Sequence, residues 1–375
     1  MAFEHIRIAQ FRNIEEAELE LGSGNIFLLG ENGQGKTNFL EALYCLSYGN
    51  SFRTHQDREL IMHGRSDFLL RAEWSEPGYI VRDQISFRYL PEGRKEILLN
   101  EKQLSDRKEL VAHNPSVVFC HEDLAFASGA PEERRFFFDQ CAGMLWLEYI
   151  DLLRSFRRLL KHRNMALKTD TFSVLDTLDE QLARYGSELM LYRKRLSHLF
   201  KDHFPERYEQ VSQLGTEVSI QYRPNWPEEA SLSEIVEILA QRRQRDIEVG
   251  TTLSGPHRDR WVFTMEGRDF SAFASTGQLR LASLVLRVVQ VYLFSELSQS
   301  AESAEPRFPV LLLDDVLLEL DVAKRRRFFS LLPAKDSGAQ SVFTFLPEEP
   351  WREYANRSTI VYKVSHGRFS REESI

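Results

Sequence analysis

Apolar and polar residues alternate along Phe3-Glu4-His5-Ile6-Arg7-Ile8, and again over 17–21 after a break around Asn13. A period of two turns one face of a strand to a core, so this stretch predicts a hairpin at a sheet edge. Asn25-Ile26-Phe27-Leu28-Leu29 is an apolar strand that stops at Gly30. After a glycine-rich turn, Phe39, Leu40, Leu43, Tyr44 and Leu46 recur at helical spacing. The pattern predicts strand, loop, helix. Segments 68–74, 79–89 and 96–99 then read as antiparallel strands, divided by Pro-Gly and Pro-Glu-Gly turns.

From Pro131 to about Ile247 the pattern is that of long helices. Leu178, Leu182, Tyr185, Leu189, Tyr192, Leu196 and Leu199 step by four and three over three heptads. Three heptads are short for a free-standing zipper, so the stripe predicts a helical hairpin packed within its own domain. Pro205 is expected to stop that helix just after Phe204. Strands resume near Thr251. A helix follows Ser275 through Leu279, Leu281, Ala282, Leu284, Val285, Val288, Val289 and Tyr292. The low-complexity segment 298–305 reads as a surface loop. Val310-Leu311-Leu312-Leu313 is a continuous apolar run of buried parallel-strand type, and it ends in Asp314-Asp315.

The fold class expected is α/β, with two domains. A nucleotide-binding head built from 1–115 and 250–375 is split by a mainly helical insert, 116–249. Composition narrows the setting. No stretch reaches the roughly 18 uninterrupted apolar residues of a membrane helix. The first residues lack the layout of a secretion signal. Cys45, Cys120 and Cys141 are too few and too scattered for a disulfide framework or a zinc site. The expectation is a cytoplasmic protein without a membrane partner. A net charge of −8 argues against a surface coated throughout in nucleic acid, but leaves local basic patches open.

Gly30-Glu31-Asn32-Gly33-Gln34-Gly35-Lys36-Thr37 fits the phosphate-loop pattern in full. Its glycines let backbone N–H groups wrap phosphate oxygens at the positive end of the following helix. Lys36 is expected to reach the β- and γ-phosphates of ATP, and the Thr37 hydroxyl to ligate Mg²⁺. Asp314 is the second metal-side candidate. Asp315 is the candidate general base that orients the attacking water. It is a shorter arm than the glutamate of fast ATP motors, which predicts slow hydrolysis.

Ser275-Thr276-Gly277-Gln278 opens a helix and resembles the signature motif of ABC ATPases, with Ala274 and Thr276 as departures. Ser275, Gly277 and Gln278 are the candidate γ-phosphate ligands there. In ABC folds this motif meets the nucleotide of the other subunit, which implies an ATP-dependent homodimer. Glu319-Leu320-Asp321 is placed like the D-loop of the same interface. The fold implied is an ABC-type P-loop ATPase head with a mixed sheet.

With these parts in place the chain resembles the RecF family over essentially its whole length. Ser51-Phe52-Arg53-Thr54 and Asp57-Arg58-Glu59-Leu60-Ile61 are similar to the segment that family carries after its first helix. Phe119 to Leu124, Pro131-Glu132-Glu133-Arg134-Arg135, Leu160-Lys161-His162-Arg163-Asn164 and Gly255-Pro256-His257-Arg258-Asp259 match further elements in family order. Phe52, Cys120, His121, Leu317 and Leu318 depart from its pattern, and none removes a nucleotide ligand. Thr344 stands nearest to the switch histidine of ABC transporters.

The resemblance implies a protein of recombinational gap repair, replication-fork maintenance and SOS induction. It would bind single-stranded and duplex DNA at gaps and act with RecR and RecO to help RecA load. Candidate DNA contacts are Arg154-Arg157-Arg158-Lys161-Arg163-Lys168, Arg193-Lys194-Arg195, Arg242-Arg243-Arg245 and Lys324-Arg325-Arg326-Arg327. Each also reads as a solvated helix face. A transporter ATPase subunit shares the phosphate loop, signature and acids, but its helical domain is normally much shorter.

Overall fold

The structure is a computed structural model that describes residues 1–75, 82–298, 306–316, 320–334 and 337–372. In chain order the elements begin with β1 (Ala2–Phe11), β2 (Ile14–Glu20), β3 (Asn25–Leu29), α1 (Lys36–Tyr48), β4 (Phe68–Ser75), β5 (Asp83–Tyr89) and β6 (Lys95–Leu99). Next come β7 (Lys102–Gln103), α2 (Lys108–His113), β8 (Ser116–Phe119), α3 (Leu124–Ser128), α4 (Pro131–Leu145), α5 (Leu147–Lys168) and α6 (Leu175–Ser212). Then follow β9 (Val218–Arg223), α7 (Leu232–Val249), β10 (Arg260–Met265), β11 (Arg268–Asp269) and α8 (Thr276–Leu297). The last are β12 (Val310–Leu313), α9 (Val322–Leu331), β13 (Ser341–Phe345), β14 (Ile360–Ser365) and β15 (Arg368–Arg371).

These elements form two compact units, residues 1–122 with 290–375 and residues 123–289. The second unit therefore takes in residues 250–289, beyond the helical insert expected from sequence. The reason is that β10 pairs with β9 rather than with any strand of the first unit, in a β11-β10-β9 sheet.

In the first unit, one sheet has the order β2-β1-β4-β5-β6-β7 and the other β15-β14-β3-β13-β12-β8. The predicted edge hairpin is β1–β2, turned through Arg12 at φ 54°. The Pro-Gly turn at Pro77-Gly78 and the strand start at Tyr79 lie outside the described residues, as does most of the 298–305 loop. In the second sheet β3, β13, β12 and β8 are parallel neighbours. Their apolar runs are buried, as an all-apolar strand pattern requires. Helix α1 joins the core these two sheets share: Phe39, Leu40, Leu43 and Leu46 meet Ile6, Ile8, Ile26, Leu28 and Leu312.

In the second unit α5 and α6 pack together, with Leu182, Leu189 and Leu196 of the heptad stripe fully covered and Leu178, Tyr185, Tyr192 and Leu199 half-buried. Pro205 does not stop α6, which continues to Ser212. A proline removes one backbone hydrogen bond and crowds one carbonyl. Here Phe204, Tyr208 and Val211 are fully buried around it, so packing outweighs that loss. Helix α8 is long and apolar enough to cross a membrane, yet 83% of that window is buried inside the protein, which accounts for its character.

Candidate functional site

The phosphate loop joins β3 to α1. Gly33 at φ 77° and Gly35 at φ 115° take left-handed backbone conformations that a side chain resists. Space is limiting as well. A Cβ on Gly35 would lie 2.8 Å from Asn13 Oδ1, and one on Gly30 would lie 2.4 Å from the Val364 carbonyl oxygen. The Lys36 ammonium curls back along the loop and donates to the carbonyls of Gly30 (2.6 Å) and Glu31 (3.2 Å). Two neighbouring turns buttress the loop. Asn13 donates to the Gly33 carbonyl (3.3 Å) and accepts from Asn38 (2.8 Å). From the β14–β15 turn, the N–H groups of His366 and Gly367 donate to Gln34 Oε1 (2.7 Å) and the Gln34 carbonyl (2.8 Å).

Parallel pairing of β12 between β13 and β8 carries Asp314 to the end of the sheet where α1 begins. There the Thr37 hydroxyl donates to Asp314 Oδ1 at 2.9 Å across a sequence separation of 277. The two motifs expected to share a metal are thus in direct contact. The Thr344 hydroxyl, one strand over, sits 3.2 Å from Asp314 Oδ1 and 2.9 Å from Asp315 Oδ1. It also accepts from the Asp315 N–H at 2.8 Å. A threonine hydroxyl has one proton to give and two lone pairs, so it serves the acid pair as a hinge. Asp315 itself adopts φ 47°, a conformation rare outside glycine and costing about 1–3 kcal/mol.

Burial, and then the neighbouring charge of Asp315, push the Asp314 carboxyl up to about 6. Among the described residues neither aspartate has an ion-pair partner. Arg53 acts on Asp314 only as a more distant positive field. The hard oxygens of Thr37 and Asp314 fit Mg²⁺, which takes one or two protein ligands and leaves the rest to water and phosphate. No cluster of three or more His, Cys, Asp or Glu ligands for a metal occurs among the described residues.

Ser275-Thr276-Gly277-Gln278 belongs to the second unit. The Ser275 N–H donates to Gln278 Oε1 (2.7 Å) and the Gln278 N–H donates to Ser275 Oγ (3.3 Å), a reciprocal cap on α8. The outer surface of that cap is open: Ser275, Thr276 and Gly277 are exposed, and a Cβ on Gly277 would meet nothing within 4 Å. On the same helix, Arg287 pairs with the buried Asp123 at 2.8 Å. Of the D-loop-like segment, Asp321 caps α9 through the Lys324 N–H at 2.9 Å, and Glu319 lies outside the described residues, with Leu317 and Leu318.

Two of the basic clusters lose members to the interior. Arg163 is fully buried, bonded to Asp179 and Asp246 at 2.6 Å each and to Thr252 at 2.8 Å. Arg193 bonds Asp139 (2.9 Å), Asp259 (2.7 Å) and the Pro256 carbonyl (2.6 Å). Neither reaches a surface where DNA could lie. His257, in the same neighbourhood, is pushed down to about 4 by burial, and its Nε2 lies 2.9 Å from the Thr252 carbonyl, so the ring is neutral and structural. Arg134 reaches beyond its local acids to the carbonyls of Ala127 and Trp261.

Sequence reading missed Asn13, the support that the 366–367 turn gives to Gln34, and a cluster on α1. In that cluster the buried carboxylate of Glu41 accepts from Arg12 (2.7 Å), Arg53 (3.2 Å) and the Ser51 hydroxyl. A charged residue at a helix position otherwise ringed by apolar ones was the available signal.

A family model described as the RecF/RecN/SMC N terminal domain matches residues 2–369. The chain is 40% identical over 363 residues to the DNA replication and repair protein RecF of Treponema pallidum (strain Nichols), covering 95% of this chain and 97% of that one. The protein of the same name from Lactobacillus johnsonii is 32% identical over 389 residues, with both chains covered completely. Among solved structures, the recombination mediator protein RecF-ATP in the RecFOR pathway superposes with a TM-score of 0.87 at 26% identity, covering 99% of this chain and 97% of that one. An Smc head bound to the C-winged helix domain of ScpA gives 0.60 at 16% identity, covering 100% and 98%, a likeness of fold. The fold is that of an ABC-type ATPase head.

Proposed function

The chain belongs to the RecF family, and on that premise we propose that it is an ATP-operated DNA-binding switch of recombinational gap repair. One observation carries the reading: Thr37 and Asp314 meet at 2.9 Å, uniting a phosphate loop and an acid pair from opposite ends of the chain.

In this reading Gly30 to Thr37 cradle the nucleotide, and Lys36 leaves its carbonyl partners for the phosphates. Thr37 and Asp314 would hold Mg²⁺, which when bound would neutralise phosphate charge. Asp315 orients the attacking water while the Thr344 hydroxyl holds it. Its short arm, already engaged by that hydroxyl, favours slow turnover, below the typical enzyme rate of about 10 per second. The exposed Ser275 cap with Gly277 and Gln278 would engage the nucleotide of a second copy, making ATP the glue of a homodimer. The closed dimer would bring paired basic surfaces onto DNA at gaps and work with RecR and RecO toward RecA loading, in the cytoplasm, with SOS induction as a consequence.

Sedimentation with and without ATP and Mg²⁺ tests it. Wild type is expected to dimerise only with both, and Lys36→Ala and Ser275→Arg to stay monomeric. Dimers that persist in Ser275→Arg would sink the shared site.

A further inference from the structure

A second candidate site lies in the first unit, away from the phosphate loop. Between the loop that follows α1 and the β6–β7 hairpin is a cleft of about 550 Å³, lined by Asn50, Thr54, His55, Lys95, Gln103 and Arg107 among others. That volume is in the range of small-ligand pockets, roughly 300–1,000 Å³. Its architecture begins with Gly49, which ends α1 at φ 64°. That left-handed conformation favours glycine, and a Cβ there would also press on the side-chain ends of Ile97 (2.5 Å) and Arg107 (2.9 Å). Ile97 and Leu104 add an apolar lining to the cleft.

The charges in the lining do not balance. Asp57 is the carboxylate of the lining, and both its oxygens already accept from Lys95, at 3.0 and 3.2 Å. Among the described residues Arg107, His55 and Gln103 make no side-chain hydrogen bond or ion pair. A solvent-exposed guanidinium, imidazole and amide therefore border the same cleft as the apolar Ile97 and Leu104. This set suits a ligand that brings a phosphate to the cation and a flat, hydrogen-bonding ring to the amide and the aliphatic side chains. The loop supplying Asn50, Thr54 and His55 is also clamped to α1: Arg53 donates to Asn38 (2.9 Å) and Glu41 (3.2 Å), and the Ser51 hydroxyl to Glu41. The loop that lines the cleft is thus tied to the helix that the phosphate loop opens.

We propose that this cleft holds one nucleotide unit of single-stranded DNA, its phosphate on Arg107 and its base against Ile97, Leu104 and Gln103. The proposal rests on the DNA-binding reading above and gives that reading a site on the first unit.

The test is fluorescence anisotropy of a labelled oligothymidylate of twelve nucleotides on the full chain with ATP and Mg²⁺. Wild type, Arg107→Glu, Gln103→Ala and, as a control outside the cleft, Arg94→Glu are titrated across a salt series. Arg107→Glu is expected to weaken binding at least about 5-fold and to lower the salt slope by about 0.7, the loss of one phosphate contact on a single strand. Gln103→Ala is expected to weaken it about 2- to 5-fold with the slope unchanged, and Arg94→Glu to do less than Arg107→Glu. Unchanged affinity and slope in both cleft variants overturn the cleft while leaving DNA binding intact. A wild type that binds no oligonucleotide overturns both readings together. Calorimetry with thymidine monophosphate separates the two sources of the same chemistry. Binding of the free nucleotide that Arg107→Glu abolishes, with oligonucleotide affinity unaffected, overturns the strand in favour of a free nucleotide.

Discussion

Two groups of buried charge sit in the two units, and they are built on opposite plans. In the second unit Arg193 is matched: burial opposes its charge, but Asp139, the Tyr149 hydroxyl and Asp259 hold it well above its ordinary range. Arg163 likewise faces two carboxylates. In the first unit Asp314 and Asp315 stand side by side with hydroxyls for company and, among the described residues, no cation in ion-pair range. A cluster whose opposite charges are already in hand behaves as scaffold. An unmatched acid pair is costly as it stands and becomes favourable when a cation arrives, which is what a metal-nucleotide site requires.

The comparison breaks first at the matched end. Arg163→Ala leaves Asp246 in the interior without its cation and Asp179 with Arg243 alone, and loss of one partner of a buried ion pair costs about 3–5 kcal/mol. Urea unfolding of the second unit should show that loss with ATP binding to the first unit retained. An unchanged midpoint would mean the cluster is not scaffold.

A smaller effect of opposite sign is expected at Asp314. Its carboxyl is raised from 3.8 to about 6 in the folded protein, so folding takes up protons. The nucleotide-free protein then loses stability from this group as pH rises from about 4 to 6, and stays at the lower level above that. Asp314→Asn removes the penalty. It should raise stability at pH 7.5 by about 1–2 kcal/mol, allowing for the partial exposure of the side chain. That gain should fade below about pH 4, and the stabilisation wild type draws from ATP with Mg²⁺ should be missing. A destabilised Asp314→Asn at neutral pH would contradict the account of an unmatched acid.

The smallest change sharpens the matched side. The Tyr222 hydroxyl donates to Asp259 at 2.5 Å, while Arg193 and the Asn225 N–H also serve that carboxylate. Because Asp259 keeps those partners, Tyr222→Phe should cost about 1 kcal/mol by thermal melting. A loss as large as that of Arg163→Ala would show that the hydroxyl, rather than the ion pair, holds the network.

Much of this was legible in the chain, for reasons particular residues make plain. The phosphate loop is local: eight consecutive residues carry all of it, and the strand and helix beside it announce themselves by period. The signature cap and the acid pair are local as well, since Ser275 bonds Gln278 three residues on and Asp314 follows its strand directly. The arginine motifs were legible as motifs but not as chemistry. Arg163 and Arg193 sit in helices whose neighbours Lys161 and Lys194 are solvated, and a helical repeat alone does not say which cation points inward.

What the sequence determined by itself was therefore whatever depends on neighbours within a turn or a strand: the phosphate loop, the cap of α8, the apolar strand leading to Asp314, and membership of a family through motifs in order. What tertiary structure decided was everything that needs two distant segments at once. Thr37 meets Asp314 only because parallel strands align β12 beside the strand next to β3. Asn13 and His366 support the loop only because two hairpin turns converge on it. Pro205 stays inside a helix because the packing around it outweighs one lost hydrogen bond. Chain-local forces act over a few residues, whereas charge matching and burial are set by what the fold brings within a few ångströms.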